Sequence, residues 1–392
     1  MEYKSTFHRY FYLFKTFLLI GSTSFGGYMS LIAMVRNKMV VRDKTVNDDL
    51  ITEGISLASM LPGPAAVNVV TYVGFNIAGL PGALLSMLSV LLPSFVLVLS
   101  LTYFYLYAGD AVQIDDILKG IFPVVAGIIF STGTSMGQKI CTNWKHYAIA
   151  AISFVVVFLF KSYWSIVMVL VLSAVAGIVI FRTHVDVPLR QSREWKPVVM
   201  WLCAFTAVLV AVSWLSSGTL LGDIFRQFST VSLSLFGGGY VMIPIMKSVL
   251  VDQLGWITDQ EFIYGISIGQ VTPGPILISA TFFGFKLAGF TGAVVATLAI
   301  FAPSAILMLM LSVIFDVLKQ NRFVQSALMG IKPCVVGMIL YSGVSIVITH
   351  IENTYALVTI TLTALSFFLV FRFNTSNVLL IIGGALAGYL LY

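Results

Sequence analysis

The chain has 392 residues, of which 59% are hydrophobic and only 10% charged, with a formal net charge of +6. A soluble domain carries about 25% charged residues, so a mean hydropathy of +0.99 excludes a water-facing globule. The basic excess contains no long run, which excludes a nucleic-acid surface.

Taken in chain order, thirteen apolar segments are predicted, at 10–35, 50–75, 80–107, 117–136, 146–160, 163–181, 198–216, 222–247, 262–285, 288–315, 325–348, 355–371 and 375–392. Residues 80–107, 198–215, 288–315 and 355–371 contain no charged residue, which suits membrane-crossing helices. No window alternates as a transmembrane strand does. The expected fold class is therefore an all-α integral membrane protein. Lys4, Arg9 and Lys15 precede an apolar run without a small-residue cleavage site, so the first segment is expected to be retained. Cys141, Cys203 and Cys334 lack metal-ligand spacing, His8, His146, His184 and His350 form no cluster, and no Walker motif or catalytic triad appears. Neither an enzyme nor a cofactor is expected.

The sequence repeats itself. Phe25-Gly26-Gly27 recurs as Phe236-Gly237-Gly238, and Pro62-Gly63-Pro64 as Pro273-Gly274-Pro275, both at an offset of 211. At an offset of 210, Pro93-Ser94 matches Pro303-Ser304, and Gly120, Pro123 and Gly127 match Gly330, Pro333 and Gly337. This divides the chain into a first repeat (1–181), a linker (182–197) and a second repeat with a preceding helix (198–392). Arg182, Arg190, Arg193 and Lys196 place the linker in the cytoplasm. Propagated from there, loop 108–119, with Asp110, Asp115, Asp116 and only Lys119, falls outside. Its counterpart 316–322, with Lys319 and Arg322, falls inside. The copies are thus expected to be inverted, with the N-terminus in the cytoplasm and the C-terminus outside.

Paired Gly/Pro breaks in apolar segments point to a transporter and its binding site. Proline removes a backbone donor and glycine permits positive φ. A helix restarting after such a break, near Pro64 or Pro275, presents free N–H groups and a positive dipole end to an anion. The alternative is a kink used for packing. Gly26-Gly27 and Gly237-Gly238-Gly239 allow the same two readings, a break or close helix contact. Ser59 and Gln270 occupy equivalent positions three residues before the first proline, with Asn68, Thr71, Thr272 and Ser279 close by. Such hydroxyls and amides either donate to an oxyanion or bond their own helix. Lys15 and Arg226 coincide in the repeat, ten residues before each Phe-Gly-Gly. They either serve the anion or snorkel to an interface. Glu53 is a candidate carrier of a coupling proton, and Thr258-Asp259-Gln260-Glu261 is expected to form a helix capping box.

Given twice, the order Phe-Gly-Gly, polar loop, Pro-Gly-Pro, then Gly-x-x-x-Ala-Gly-x-x-Gly-Ala (residues 74–83 and 284–293) resembles the long, two-domain form of the chromate ion transporter family. Tyr28 and Ser59 depart from its pattern, standing where members often have proline and glutamine. The resemblance implies chromate efflux through the bacterial inner membrane, with sulfate as a similar oxyanion. It gives Gly26, Gly27, Pro62, Gly63, Pro64, Gln270, Pro273, Gly274 and Pro275 a role in the transport path. Expected partners are a small inorganic oxyanion, the lipid bilayer and a coupling proton or counter-anion, with a homodimer as an open arrangement. An anion channel, a carrier of another small solute, and a scaffold without transport are the competing readings.

The loop at Lys38 tests the topology. If the Phe-Gly-Gly and Pro-Gly-Pro segments are re-entrant hairpins, the basic residues Arg36, Lys38, Arg42 and Lys44 lie inside. Lys38→Cys is then expected to resist an impermeant thiol reagent from the outside; external labelling means that these segments cross.

Overall fold

The structure, a computed structural model, describes residues 6–24, 28–107, 114–160, 162–181, 218–235, 242–312, 322–350 and 355–391. The two Phe-Gly-Gly motifs with Gly26, Gly27, Gly237 and Gly238, the linker 182–197 and the segment 198–216 lie outside the described residues. Everything described is helix or connection, and no strand occurs among the described residues. Among the described residues, five helices are long and apolar enough to cross a membrane, as the composition requires.

The first copy opens with α1 (Thr6–Thr23), α2 (Tyr28–Val35) and a π-helical stretch, Arg36–Arg42. The Tyr12 hydroxyl lies 2.8 Å from Asp43 Oδ2 and 3.0 Å from Thr45 Oγ1. The chain thus returns to the level of Tyr12 after α2. Next come α3 (Asp48–Met60) and α4 (Ala65–Tyr107), separated by Pro62-Gly63-Pro64. Gly54 of α3 packs on Tyr72 and Val69 of α4. These residues lie at similar distances in sequence from Gly63, so the two limbs run back to back with the Pro-Gly-Pro at the tip.

α4 is itself broken at Ala78-Gly79, where Gly79 has φ 63° and ψ −156°. Gly74 then meets Gly82 and Ser86 across the turn, with no room for a Cβ. This explains the Gly-x-x-x-Ala-Gly-x-x-Gly-Ala motif. The positive φ needs the central glycine, and the outer two let the limbs touch. α3, with 13 residues, and α4 from Ala65 to Ile77 are each about 20 Å long. That is short of the roughly 30 Å hydrocarbon core. The second copy has the same order of elements. Its elements are α8 (Leu220–Ser234), α9 (Met242–Lys247), a π-helical stretch Ser248–Gln253, α10 (Asp259–Val271), a short 3-10 turn Ile276–Ile278, and α11 (Ser279–Ser312). α11 breaks at Ala288-Gly289, with Gly289 at φ 60°. The capping box at the start of α10 is present, Thr258 and Glu261 each bonding the other's backbone N–H. The ion pairs Arg36–Asp48 and Lys247–Asp259 also recur, each tying a π-helical region to the start of the next helix.

The remaining helices are α5 (Ile114–Ile140), α6 (Trp144–Phe160) and α7 (Tyr163–Ile180) in the first copy, and α12 (Arg322–His350), α13 (Ala356–Phe373) and α14 (Asn377–Leu391) in the second. In space the chain forms two compact units, each drawing on both copies. One takes Met1–Leu99, Thr183–Gly239 and Pro273–Gln325, the other Ser100–Arg182, Tyr240–Thr272 and Ser326–Tyr392.

In the second unit the copies exchange helices. α5 of the first copy packs on α13 and α14 of the second. Gly120 lies against Gly384 and Gly388, and Gly127 against Thr363, Ser366 and Phe367. α12 of the second copy packs on α6 and α7 of the first. Gly330 lies against Ser173 and Gly177, and Gly337 against Ala150 and Phe154. Among apolar helices in a bilayer, such small-residue contacts supply close van der Waals packing.

A methyl group at Gly120 or Gly330 would strike the opposing backbone. Gly120→Ala and Gly330→Ala are each expected to cost about 1–3 kcal/mol through overpacking, read as a lower unfolding temperature in detergent. Gly383 faces open space, and Gly383→Ala should leave that temperature unchanged or raise it.

Candidate functional site: the interlocked helix breaks

The two Pro-Gly-Pro breaks lie within the first unit, and each is held by the other copy. Gly63 has φ 113° and Gly274 φ 104°, a region that glycine alone enters without strain. The Gly63 N–H donates to the carbonyl of Leu235, at the end of α8, at 2.6 Å. The Gly274 N–H donates to the carbonyl of Ser24, at the end of α1, at 2.8 Å. Ser24 and Leu235 are repeat equivalents, so one bond is the other with the copies exchanged.

Two proline-serine pairs add a second layer. Ser94, after Pro93 in α4, packs on Gly274 and donates its hydroxyl to the carbonyl of Pro273. Ser304, after Pro303 in α11, packs on Gly63 and bonds Asn68 Oδ1 at 3.2 Å. A side chain at Gly63 would collide with Ser304, and one at Gly274 with Ser94. Contacts that recur with partners exchanged are what a two-fold relation produces. Ser94 and Ser304 were not singled out from sequence as site residues, although their recurrence after matched prolines was the signal for them.

The helices restart where expected. The Asn68 N–H bonds the Pro64 carbonyl, and the Ile278 N–H bonds the Pro275 carbonyl. Ahead of Asn68 the first turn of α4 has N–H groups without partners inside the helix, and its residues 65–70 are buried. Beside this turn sits a polar side chain whose needs are unmet. Asn68 is 0% exposed, and its Nδ2 has no partner among the described residues. Its amide lies next to Gly63, over the break. Ser24 and Ser232, also fully buried, have unpartnered hydroxyls. None of these groups is charged. A buried polar group without a partner costs about 1–3 kcal/mol, so the unmet amide of Asn68 at a helix start marks a place prepared for something polar.

The other sequence candidates are placed as follows. Gln270, 8% exposed, has neither amide atom partnered among the described residues. It and Thr272 belong to the second unit. The Thr272 hydroxyl donates to its own helix at Gly269. Ser59 is exposed, and its hydroxyl donates to Ser56. Pro62 is half-buried, while Pro64, Pro273 and Pro275 are buried. Lys15 is exposed, and Arg226 is exposed and paired with Asp223 at 2.7 Å. Neither cation is buried at a break. No group of acidic, histidine or cysteine side chains that could hold a metal ion occurs among the described residues.

These features define a helical, multi-pass membrane transporter made of two related halves. The chain belongs to the chromate transporter family, whose sequence model matches it twice, over residues 11–178 and 222–389. The two matches are the two copies. An uncharacterized transporter of Methanocaldococcus jannaschii is 29% identical over 338 residues, covering 84% of this chain and 82% of its own. A probable chromate transport protein of Synechococcus elongatus is 27% identical, over 83% and 82%. A chromate transport protein of Cupriavidus metallidurans is 26% identical, over 96% and 92%. No solved structure matches the chain.

Stability separates the structural members of the site from the unsatisfied ones. Ser94→Ala strips the Pro273 carbonyl of its donor and is expected to cost about 1–3 kcal/mol. Gln270→Met removes two unpartnered atoms at similar volume and should raise the unfolding temperature. Thermal melts of the purified protein in detergent check both.

Proposed function

We propose that the protein is a secondary transporter that exports a tetrahedral oxyanion, chromate or a sulfate-like dianion, across the bacterial inner membrane. The copies act as inverted repeats, with the N-terminus in the cytoplasm and the C-terminus outside. The observation that carries this reading is the interlocked pair of breaks. It joins helix N-termini, which favour anions, to buried neutral donors left without partners. A neutral site binds a dianion without holding a buried charge when empty. Gly26, Gly27, Gly237 and Gly238 remain candidates from the sequence motif alone, and Gln270 is a further candidate amide donor. Lys15 and Arg226, both exposed, would raise the local anion concentration. Transport runs by one set of helices moving against the other, coupled to a proton or a counter-anion. The relatives named as chromate transport proteins favour chromate over other oxyanions.

Proteoliposomes offered chromate, sulfate, molybdate and phosphate test the reading. Saturable chromate flux stimulated by trans substrate is expected. Gln270→Ala should lower it about tenfold, the equivalent of about 1.4 kcal/mol of lost interaction, and Lys15→Ala should raise KM. No flux of any oxyanion overturns the proposal. High flux without trans stimulation indicates a channel.

A further inference from the structure

The helices that precede the two Pro-Gly-Pro breaks, α3 and α10, differ in one respect that the repeat does not require. On α3, Thr52, Glu53 and Ser59 are exposed and Ser56 is half-buried, while Ile51, Gly54, Leu57 and Ala58 on the other side are buried. The polar residues recur every three or four positions and form one stripe running toward the break. The return limb in α4 continues it. The Tyr72 hydroxyl bonds Glu53 Oε2 at 3.3 Å, and Asn76, exposed, donates to the Tyr72 carbonyl at 2.8 Å. In the second copy the positions equivalent to Thr52, Glu53, Ser56 and Ser59 are Ile263, Tyr264, Ser267 and Gln270, and all four are buried.

An exposed surface in a membrane protein faces either lipid or water. The lipid type is visible in the same helix, where Leu80, Leu84, Leu88 and Leu92 are exposed at helical spacing. The α3 stripe is of the opposite kind. An acidic side chain facing hydrocarbon at mid-helix costs about 2.5–3.5 kcal/mol, and backbone and hydroxyl groups there have no water to satisfy them. Ser56 and Ser59 already donate to their own helix, so their remaining lone pairs need water.

We propose that this stripe is the aqueous access path to the anion site, wetted from one side of the membrane only, while the equivalent face of α10 is buried. The proposal rests on the transporter reading given above. The path is formed by Thr52, Ser56 and Ser59 with Tyr72 and Asn76, and it leads to the break at Pro62-Gly63-Pro64. Glu53 lies nine residues before Pro62, about 13 Å along the helix, at the mouth of the path and away from the anion's resting place. The occupant is water and the hydrated oxyanion. The one-sidedness is written in the sequence, since α10 carries isoleucine and tyrosine where α3 carries threonine and glutamate.

Cysteine accessibility tests this in a chain whose three native cysteines are replaced by alanine. Thr52→Cys and Ser56→Cys are placed on the path, and Ile263→Cys and Ser267→Cys at the packed equivalents. A charged, membrane-impermeant thiosulfonate is applied to right-side-out and inside-out vesicles. Labelling of the first pair from one face only, with loss of chromate transport on labelling, is expected. The second pair should stay unlabelled until the protein is unfolded. No labelling of the first pair from either face means that lipid or a second copy of the chain covers the stripe, and overturns the proposal. So does equal labelling of both pairs, or labelling that leaves transport intact. If the unlabelled variants move no oxyanion, the transporter reading fails in its own assay, and the access role falls with it; the labelling contrast separately reports whether the stripe is wet.

Discussion

Two backbone hydrogen bonds, from Gly63 to Leu235 and from Gly274 to Ser24, fix how the broken helices are used. A Pro-Gly-Pro in an apolar helix frees backbone groups that lipid cannot satisfy. Here each break gives its one remaining N–H to a helix end of the other copy. The positive φ of both glycines aims that N–H, and the serine after each matched proline fills the space a side chain would need. With its hydrogen bonds placed there, the backbone leaves the first turn of α4 and the amide of Asn68 unspent. The structural solution for the break therefore leaves polar groups free beside it. Remove the reciprocity, and the break becomes an uncompensated defect.

The second unit follows the same logic through glycine contacts between helices. α5 and α12 each lie on the last two helices of the other copy, through glycines that bring the backbones together. Lipid tails are as apolar as leucine, so burial gives these helices little reason to associate. Fit does, and fit at a glycine stripe tolerates no added atom. The polar junction and the apolar exchange thus use one device, a surface of one copy shaped for its equivalent in the other.

Much of this was legible in the sequence. Paired glycines and prolines located both breaks and the restart points near Pro64 and Pro275, and the Thr258-Asp259-Gln260-Glu261 spacing located the capping box. The segment boundary near residue 78 was also visible, though not that Gly79 turns the chain back on itself. What stayed hidden depends on direction in space. Ser94 and Ser304 look like any hydroxyl after a proline until their partners, 179 and 236 residues away, are seen. A cation in an apolar segment has the same signature whether it points into a site or out of the protein, and Arg226 is exposed beside Asp223. A repeat offset is equally compatible with copies that pack separately and copies that exchange helices, because both give identical patterns along the chain.

That exchange has a consequence for how the protein is made. Gly120 rests on Gly384 and Gly388, so a helix emerging early in synthesis waits for the last one to appear. Contacts of such sequence separation form slowly, because loop closure precedes any gain from them. Until α13 and α14 arrive, α5 carries a bare glycine face, and until α8 arrives the first Pro-Gly-Pro lacks its acceptor. The first copy is therefore inserted long before it is finished, and the nascent chain depends on the membrane and its insertion machinery to hold an incomplete half apart from other partners.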